Sequence, residues 1–96
     1  MNKPITQEEF YLAVGRLVQK HRESVGFTLN KFANKVGVQR RTLNALELGT
    51  FTWKAHHFIW LTSICGLTMD KITREVNRAR KEAKKQLQKS SIDDWI

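Results

Sequence analysis

The sequence predicts an all-α fold of five helices, the last of which is extended and basic. Apolar residues recur at three- and four-residue intervals in five segments, which is the periodicity of one helix face. A glycine, the residue that most often ends a helix, follows four of these segments: Gly26, Gly37, Gly49 and Gly66. One proline and five glycines in 96 residues are too few for the turns of a β-rich architecture.

A threonine is expected to cap the start of each of the first two helices. Thr6 stands three residues before Glu9, the spacing of a capping box, and the first helix is expected to run from there to about Ser24. Thr28 is placed to cap the second helix, which Gly37 ends. The inward positions of these two helices are Phe10, Val14, Leu17, Val18 and His21, then Leu29, Phe32, Ala33 and Val36.

The third and fourth helices are shorter patterns. Gln39 is expected to cap the third helix, which places Leu43 and Leu46 inward and ends at Gly49. The fourth helix is predicted over residues 54–65 and ends at Gly66. Its apolar residues are Phe58, Leu61, Ile64 and Cys65, with Trp60 beside them, and Phe58, Trp60 and Leu61 are expected to point into the core.

The last helix is predicted over residues 69–89, with Thr68 as its cap. It carries eight basic residues against three acids, and a thin apolar stripe formed by Ile72, Val76, Ala79, Ala83 and Leu87. The stripe could form a dimer seam or pack back on the domain, and the basic residues could contact DNA. Ile92, Trp95 and Ile96, around Asp93 and Asp94, could dock on a partner subunit. We therefore divide the chain into a domain at residues 1–73 and a basic helix and tail at 74–96, a possible dimerisation element.

Composition narrows the class of protein. A net charge of +8 and a pI near 10.1 indicate a polyanionic partner, either nucleic acid or an anionic membrane surface. Apolar residues at 41% exclude a disordered chain. The single cysteine, Cys65, excludes an intrachain disulfide and fits a cytoplasmic setting. We expect no signal peptide and no membrane span, because no apolar run is long enough.

The residues show no arrangement for catalysis, so we expect that the protein is not an enzyme and needs no cofactor. His56 and His57 are neighbours on a predicted helix and point in different directions, so they are poorly placed to share a metal. Cys65 lies too far along the chain to complete such a site, and we expect no metal centre.

The segment around Gly37 carries the functional signal. Gly37 allows the chain to reverse between the second and third helices. Arg40, Arg41 and Asn44 then stand on the side of the third helix that the core does not use. Two arginines in a first helical turn are unfavourable for the helix dipole, and a phosphate or a guanine edge would compensate. This is the arrangement by which a helix-turn-helix places one helix in the major groove of double-stranded DNA.

A wider pattern extends this segment in both directions without gaps. Its parts are Val14-Gly15, Arg22, Gly26-Phe27-Thr28, Phe32-Ala33, Val36-Gly37-Val38, Thr42-Leu43, Leu46-Glu47, Gly49 and Gly66-Leu67-Thr68-Met69-Asp70. In these residues the chain resembles the helix-turn-helix domain of phage repressors and Cro proteins, known as the XRE family. The resemblance covers more than half of the 96 residues, and it implies a five-helix, repressor-like domain.

The resemblance also implies roles for individual residues. Base contacts fall on Arg40, Arg41, Asn44 and Ala45. Contacts with the DNA backbone fall on Thr28, Gln39, Thr42, Thr50, Thr52, Trp53 and Lys54. Arg22 and Glu47 are expected to form an internal ion pair. The chain departs from the family in having Leu29 where Gln is common and Trp53 where Pro is common.

Three functions are compatible with this sequence. The first is a homodimeric, sequence-specific transcriptional regulator that reads the major groove with residues 39–48, and the resemblance points to the repressor type. The second is an antitoxin-type module that neutralises a protein partner through residues 72–96 and regulates its own expression through the same helix-turn-helix. The third, an architectural or membrane-surface binder, is disfavoured because the apolar face of the last helix is mostly alanine.

Overall fold

The computed structural model describes residues 3–50 and 54–95, with side chains as far as residue 86. This part of the chain is all-α and contains five helices and no strand. They are α1 (Gln7–Ser24), α2 (Leu29–Val36), α3 (Arg40–Glu47), α4 (His57–Ser63) and α5 (Met69–Trp95). The predicted all-α, five-helix fold is confirmed, and none of these helices is long and apolar enough to cross a membrane.

Local capping sets the start of three helices where the sequence predicts it. The Thr6 hydroxyl accepts from the Glu9 N–H at 3.1 Å, and the Thr6 N–H donates to a Glu9 carboxylate oxygen at 3.0 Å, which completes the capping box. Thr28 and Thr68 each accept from a backbone N–H three residues later, both at 3.2 Å. These bonds satisfy N–H groups that the first turn of a helix leaves without a partner.

The expected side-chain cap at Gln39 is wrong. Gln39 occupies the N-cap position of α3, but its side chain makes no capping hydrogen bond. Caps are usually short side chains such as Ser, Thr, Asp and Asn, and Gln carries one methylene more than Asn. The first turn of α3 therefore keeps N–H groups without a side-chain partner from Gln39.

Helix α4 is shorter than predicted and presents a different face to the core. It spans seven residues, because a turn at residues 54–56 precedes it and the helix ends at Ser63, with Ile64 as its C-cap. His57, Trp60 and Leu61 are buried, whereas Phe58 is 39% exposed. The prediction of an inward Phe58 is wrong, since positions 57, 60 and 61 share one helix face and position 58 lies beside it.

Helix α5 packs back on α1 through its first half. Ile72 and Val76 are buried, Ala79 is half-buried and Ala83 is exposed. The helix continues to Trp95, past the predicted end at residue 89, and it is continuous across the proposed domain boundary at residue 73. Packing on the domain is thus confirmed for the start of the stripe. The predictions for Leu87 and for the Ile92–Ile96 tail lie outside the described side chains.

One core joins the five helices. Its fully buried members come from α1, α2, α3, α4 and α5, namely Val14, Val18, Phe32, Leu43, Leu46, Leu61 and Val76. Helix α1 lies at the centre of the fold, because both α3 and α5 pack along it, and α2 packs on α3. The eight-residue helices α2 and α3 are too short to be stable alone in water, so this shared core holds them in place.

Candidate nucleic-acid interface

The inner side of α3 is fixed against α1. Leu43 and Leu46 are fully buried, and Gly15 of α1 lies directly against the end of α3. A Cβ atom built on Gly15 would stand 2.4 Å from the Leu46 carbonyl oxygen and 2.6 Å from that of Glu47. The absence of a side chain at Gly15 therefore allows the two helices to approach this closely.

A buried ion pair ties the same end of α3 to two other segments. Arg22 Nε donates to Glu47 Oε2 at 2.7 Å, and Arg22 Nη2 donates to Glu47 Oε1 at 3.1 Å. The Arg22 side chain is 13% exposed and that of Glu47 is 5% exposed. The hydrogen bonds with Glu47 raise the pKa of Arg22 despite the opposing effect of burial. Arg22 also donates to the carbonyl of Phe27 at 2.9 Å, so the predicted pair is confirmed and also holds the loop before α2.

The turn between α2 and α3 sets where α3 begins. Gly37 has a φ of +81°, and the N–H groups of Gly37 and Val38 both donate to the carbonyl of Ala33, at 2.9 and 3.0 Å. A side chain at position 37 would strain this left-handed backbone. Since Phe32 and Ala33 are buried, the turn holds the start of α3 beside the buried end of α2.

The outer side of α3 forms a surface hollow at this point. The hollow has a volume of about 430 Å³ and is lined by Leu29, Arg40, Arg41 and Asn44. The structure therefore brings together three of the four predicted base-contact residues. The fourth, Ala45, is half-buried and is not among the lining residues.

The hollow is positively charged. Arg40 and Arg41 are exposed, and neither forms an ion pair with any residue that the structure describes. The first turn of α3 contains no acidic residue, so the partial positive charge at the start of the helix adds to that of the two guanidinium groups. Free N–H donors, two planar guanidinium groups and the Asn44 amide make this a surface suited to phosphate oxygens and base edges.

The residues predicted to contact the DNA backbone differ in how exposed their side chains are. Thr28, Gln39 and Lys54 are exposed, and Thr42 is half-buried. The Thr50 hydroxyl donates to the carbonyl of Ala45 at 3.2 Å, which uses the proton that a phosphate oxygen would need. Thr52 and Trp53 lie outside the described residues.

His57 has a role that the sequence analysis missed. It is 4% exposed, and its Nδ1 accepts the backbone N–H of Lys54 at 3.1 Å. Burial lowers the pKa of His57, and the neighbouring His56 and Lys54 lower it further. From the sequence, His57 was considered only as a metal ligand, and no group of three or more metal-binding side chains occurs among the described residues. The available signal was its position three residues after Lys54, one turn away, from which its ring can reach back to the Lys54 N–H.

Comparison of the chain with models of protein families, with curated proteins and with solved structures finds no match. The resemblance to the XRE family therefore stays a prediction from the residues. A proposal of function depends on the chemistry of the side chains around α3.

Proposed function

We propose that this chain is a sequence-specific DNA-binding transcriptional regulator of the repressor type, acting in the cytoplasm as a homodimer. The observation that carries the proposal is the grouping of Arg40, Arg41 and Asn44 in one hollow at the start of α3. The opposite side of the same helix is held by Leu43 and Leu46, so the three polar side chains are free to enter a groove. The proposal assigns no catalytic residue, metal or cofactor.

The chemistry of the three side chains matches that of base edges in the major groove. An arginine can donate two hydrogen bonds to O6 and N7 of guanine, and an asparagine can pair with N6 and N7 of adenine. Each such pair discriminates against the wrong base by about 1–3 kcal/mol. Three side chains read too few bases to select a site alone, whereas two copies reading half-sites about one helical turn apart have enough contacts.

The surrounding residues support contacts with the phosphate backbone. Four of the predicted residues carry donors: Thr28 caps α2, Gln39 and Thr42 lie at the start of α3, and Lys54 lies shortly before α4. The net charge of +8 favours association with a duplex regardless of its sequence. In this proposal the backbone contacts orient α3, and Arg40, Arg41 and Asn44 supply the sequence preference.

A second candidate is the antitoxin-type module, with a protein partner bound through residues 72–96. The observation in its favour is that all the side chains of residues 81–86 are exposed while α5 continues as a helix to Trp95. A helix that extends past its own core has a surface available for a partner or for a second copy. Co-purification of a small protein with the full chain, lost when residues 84–96 are removed, would favour this candidate.

Selection of bound sequences from random duplexes tests the main proposal. We expect two related half-sites separated by about one helical turn. Arg41→Ala should relax the preference at one base position. Lys31→Gln, which removes an exposed charge from α2, is the matched control and should weaken binding to all sequences alike. A protein that enriches no sequence, or an Arg41→Ala variant with the wild-type preference, would contradict the proposal.

A further inference from the structure

The start of α4 contains a reciprocal contact between a buried ring and the backbone of Lys54. The Lys54 N–H donates to His57 Nδ1 at 3.1 Å, and the His57 N–H donates to the Lys54 carbonyl at 2.9 Å. The backbone and the side chain of His57 thus both bond to Lys54 and close the turn that precedes α4.

The ring that makes this contact cannot easily move. His57 is 4% exposed, its ring meets that of Trp60 edge-on at 6.4 Å, and Trp60 meets Phe32 of α2 in the same way at 6.1 Å. A row of aromatic contacts thus connects the Lys54 turn, residues 54–57, to α2, the helix that precedes α3. Lys54 itself is exposed, so its ammonium group is free while its backbone is held.

The contact requires a neutral ring. Nδ1 can accept a hydrogen bond only when it carries no proton, and a protonated ring would turn a second donor toward the Lys54 N–H. Among the residues that the structure describes, the charged and titratable groups that act on His57 are His56, whose ring centroid lies 4.3 Å away, and Lys54. Both are basic, and both act with burial to lower the pKa of His57.

We propose that His57 is a positioning residue for DNA binding: its neutral ring holds the backbone of Lys54 so that the ammonium group meets a phosphate. The inference rests on the proposed function and adds a pH dependence to it. The folded pKa of His57 lies below the ordinary value of 6.5, so the contact is complete above that value. It is lost as pH falls through the folded pKa, and the phosphate contact weakens with it.

Two substitutions at His57 distinguish the loss of the hydrogen-bond acceptor from the protonation of the ring. His57→Gln keeps an acceptor at this position and does not titrate in this range. His57→Leu removes the acceptor. His56→Gln is the matched control, because His56 is the exposed neighbour and its side chain takes no part in the hydrogen bond between Lys54 and His57.

The first measurement needs no DNA. Nuclear magnetic resonance of the full chain should show an unprotonated His57 Nδ1 at pH 7.5 and hydrogen-exchange protection of the Lys54 amide. We expect that protection to persist in His57→Gln and to fall by about tenfold in His57→Leu, as the loss of one hydrogen bond implies. Equal protection of the Lys54 amide in the wild type and in His57→Leu would overturn the contact.

The second measurement is affinity for the selected duplex at several salt concentrations, at pH 7.5 and at a series of lower pH values that spans the folded pKa of His57, which the same ring resonances locate. His57→Leu should bind about two- to tenfold more weakly at pH 7.5, with a salt slope smaller by about 0.9 for one lost phosphate contact. His57→Gln should match the wild type at pH 7.5 and lose less affinity than the wild type as pH falls through that pKa. His56→Gln should leave the salt slope at pH 7.5 unchanged.

The outcomes distinguish this inference from the function on which it rests. If the wild type binds the selected duplex and His57→Gln has the wild-type pH dependence, the positioning role is wrong while the proposed function stands. If no duplex is bound, the proposed function is overturned, and the positioning role with it. If His57→Leu loses helix content by circular dichroism, the comparison of the wild type with His57→Gln still decides the question.

Discussion

Helices α3 and α5 are both basic, but two arginines of α5 are paired with acids and the two arginines of α3 are not. Arg78 and Arg80 of α5 are bound to Glu75 and Glu9, whereas Arg40 and Arg41 of α3 form no ion pair among the described residues. An arginine already held by a carboxylate contributes little attraction to a phosphate, since its charge is compensated. Arg78 and Arg80 are thus poorer candidates for contacts with a nucleic acid than Arg40 and Arg41.

The two helices also differ in how they are anchored. The last turn of α3 carries Glu47, whose ion pair with Arg22 is nearly excluded from water. The ion pair between Arg80 of α5 and Glu9 of α1 is more open, with both side chains 29% exposed. Removal of one member of a buried pair leaves an uncompensated charge in the core, while an open pair is screened by solvent. The position of α3 should therefore depend far more on its ion pair than the position of α5.

The largest expected effect is the loss of the buried pair. Arg22→Ala should lower the free energy of unfolding by about 3–5 kcal/mol, because Glu47 would stay buried without a partner. Urea denaturation followed by circular dichroism measures this. Arg16→Ala in the same helix is the control, since Arg16 is exposed and forms no ion pair in the described part of the chain. Equal losses in the two variants would show that the pair does not anchor α3.

The second effect on stability concerns Gly15, where α1 and α3 approach each other closely. Gly15→Ala should cost about 3 kcal/mol, at the upper end of the usual range for overpacking, because the new methyl group would meet backbone rather than a flexible side chain. Gly26→Ala is the comparison: it has a φ of +78° but no atom within 4 Å of a new Cβ. Its cost is the strain of left-handed backbone, about 1–2 kcal/mol. A smaller loss for Gly15→Ala than for Gly26→Ala would contradict this helix contact.

Affinity for DNA sharpens the contrast between the two sets of arginines. Arg40→Ala with Arg41→Ala should weaken binding to the selected duplex by about ten- to a hundredfold, the loss of one or more base contacts. Arg78→Ala with Arg80→Ala removes the same charge and should weaken binding only a few-fold. Both doubles are compared by fluorescence anisotropy after their folding has been checked. The placement of α3 in the major groove is wrong if the variant with Arg78→Ala and Arg80→Ala has the larger effect.

The smallest effect concerns the open pair at low pH. Hydrogen bonds from Arg80, then from the Thr6 N–H, lower the pKa of Glu9 from 4.5 to about 2. Because the folded pKa is the lower one, the stability that Glu9 provides is present above pH 4.5 and is lost as pH falls toward 2. Glu9→Gln keeps the capping box and removes the charge, so its thermal midpoint should fall less between pH 5 and pH 2 than that of the wild type.

Glu8→Gln serves as the control for this acid range, because Glu8 is exposed and makes no ion pair in the part of the chain that the structure describes. Its thermal midpoint should follow the wild-type curve. If Glu8→Gln and Glu9→Gln reduce the fall of the thermal midpoint between pH 5 and pH 2 equally, the effect is due to net charge and not to the contact with Arg80.

Much of the candidate site could be predicted because its signals are local. The turn at Gly37 and the grouping of Arg40, Arg41 and Asn44 depend on helix periodicity and on one residue with positive φ. The Arg22–Glu47 pair came from the family resemblance. His57 was missed because its contact depends on burial against Trp60, and burial is not visible in a pair of adjacent histidines.

The helical class and the first residues of α1, α2 and α5 follow from the order of the amino acids, because Thr6, Thr28 and Thr68 act on N–H groups three residues away. Only the packing of the helices fixes that α4 buries His57 rather than Phe58. The same packing lets Arg80 bind Glu9, 71 residues away, while the arginines of α3 have no ion-pair partner among the described residues. Hydrogen bonds within one turn depend on neighbouring residues, whereas burial and charge pairing depend on which helices the core brings together.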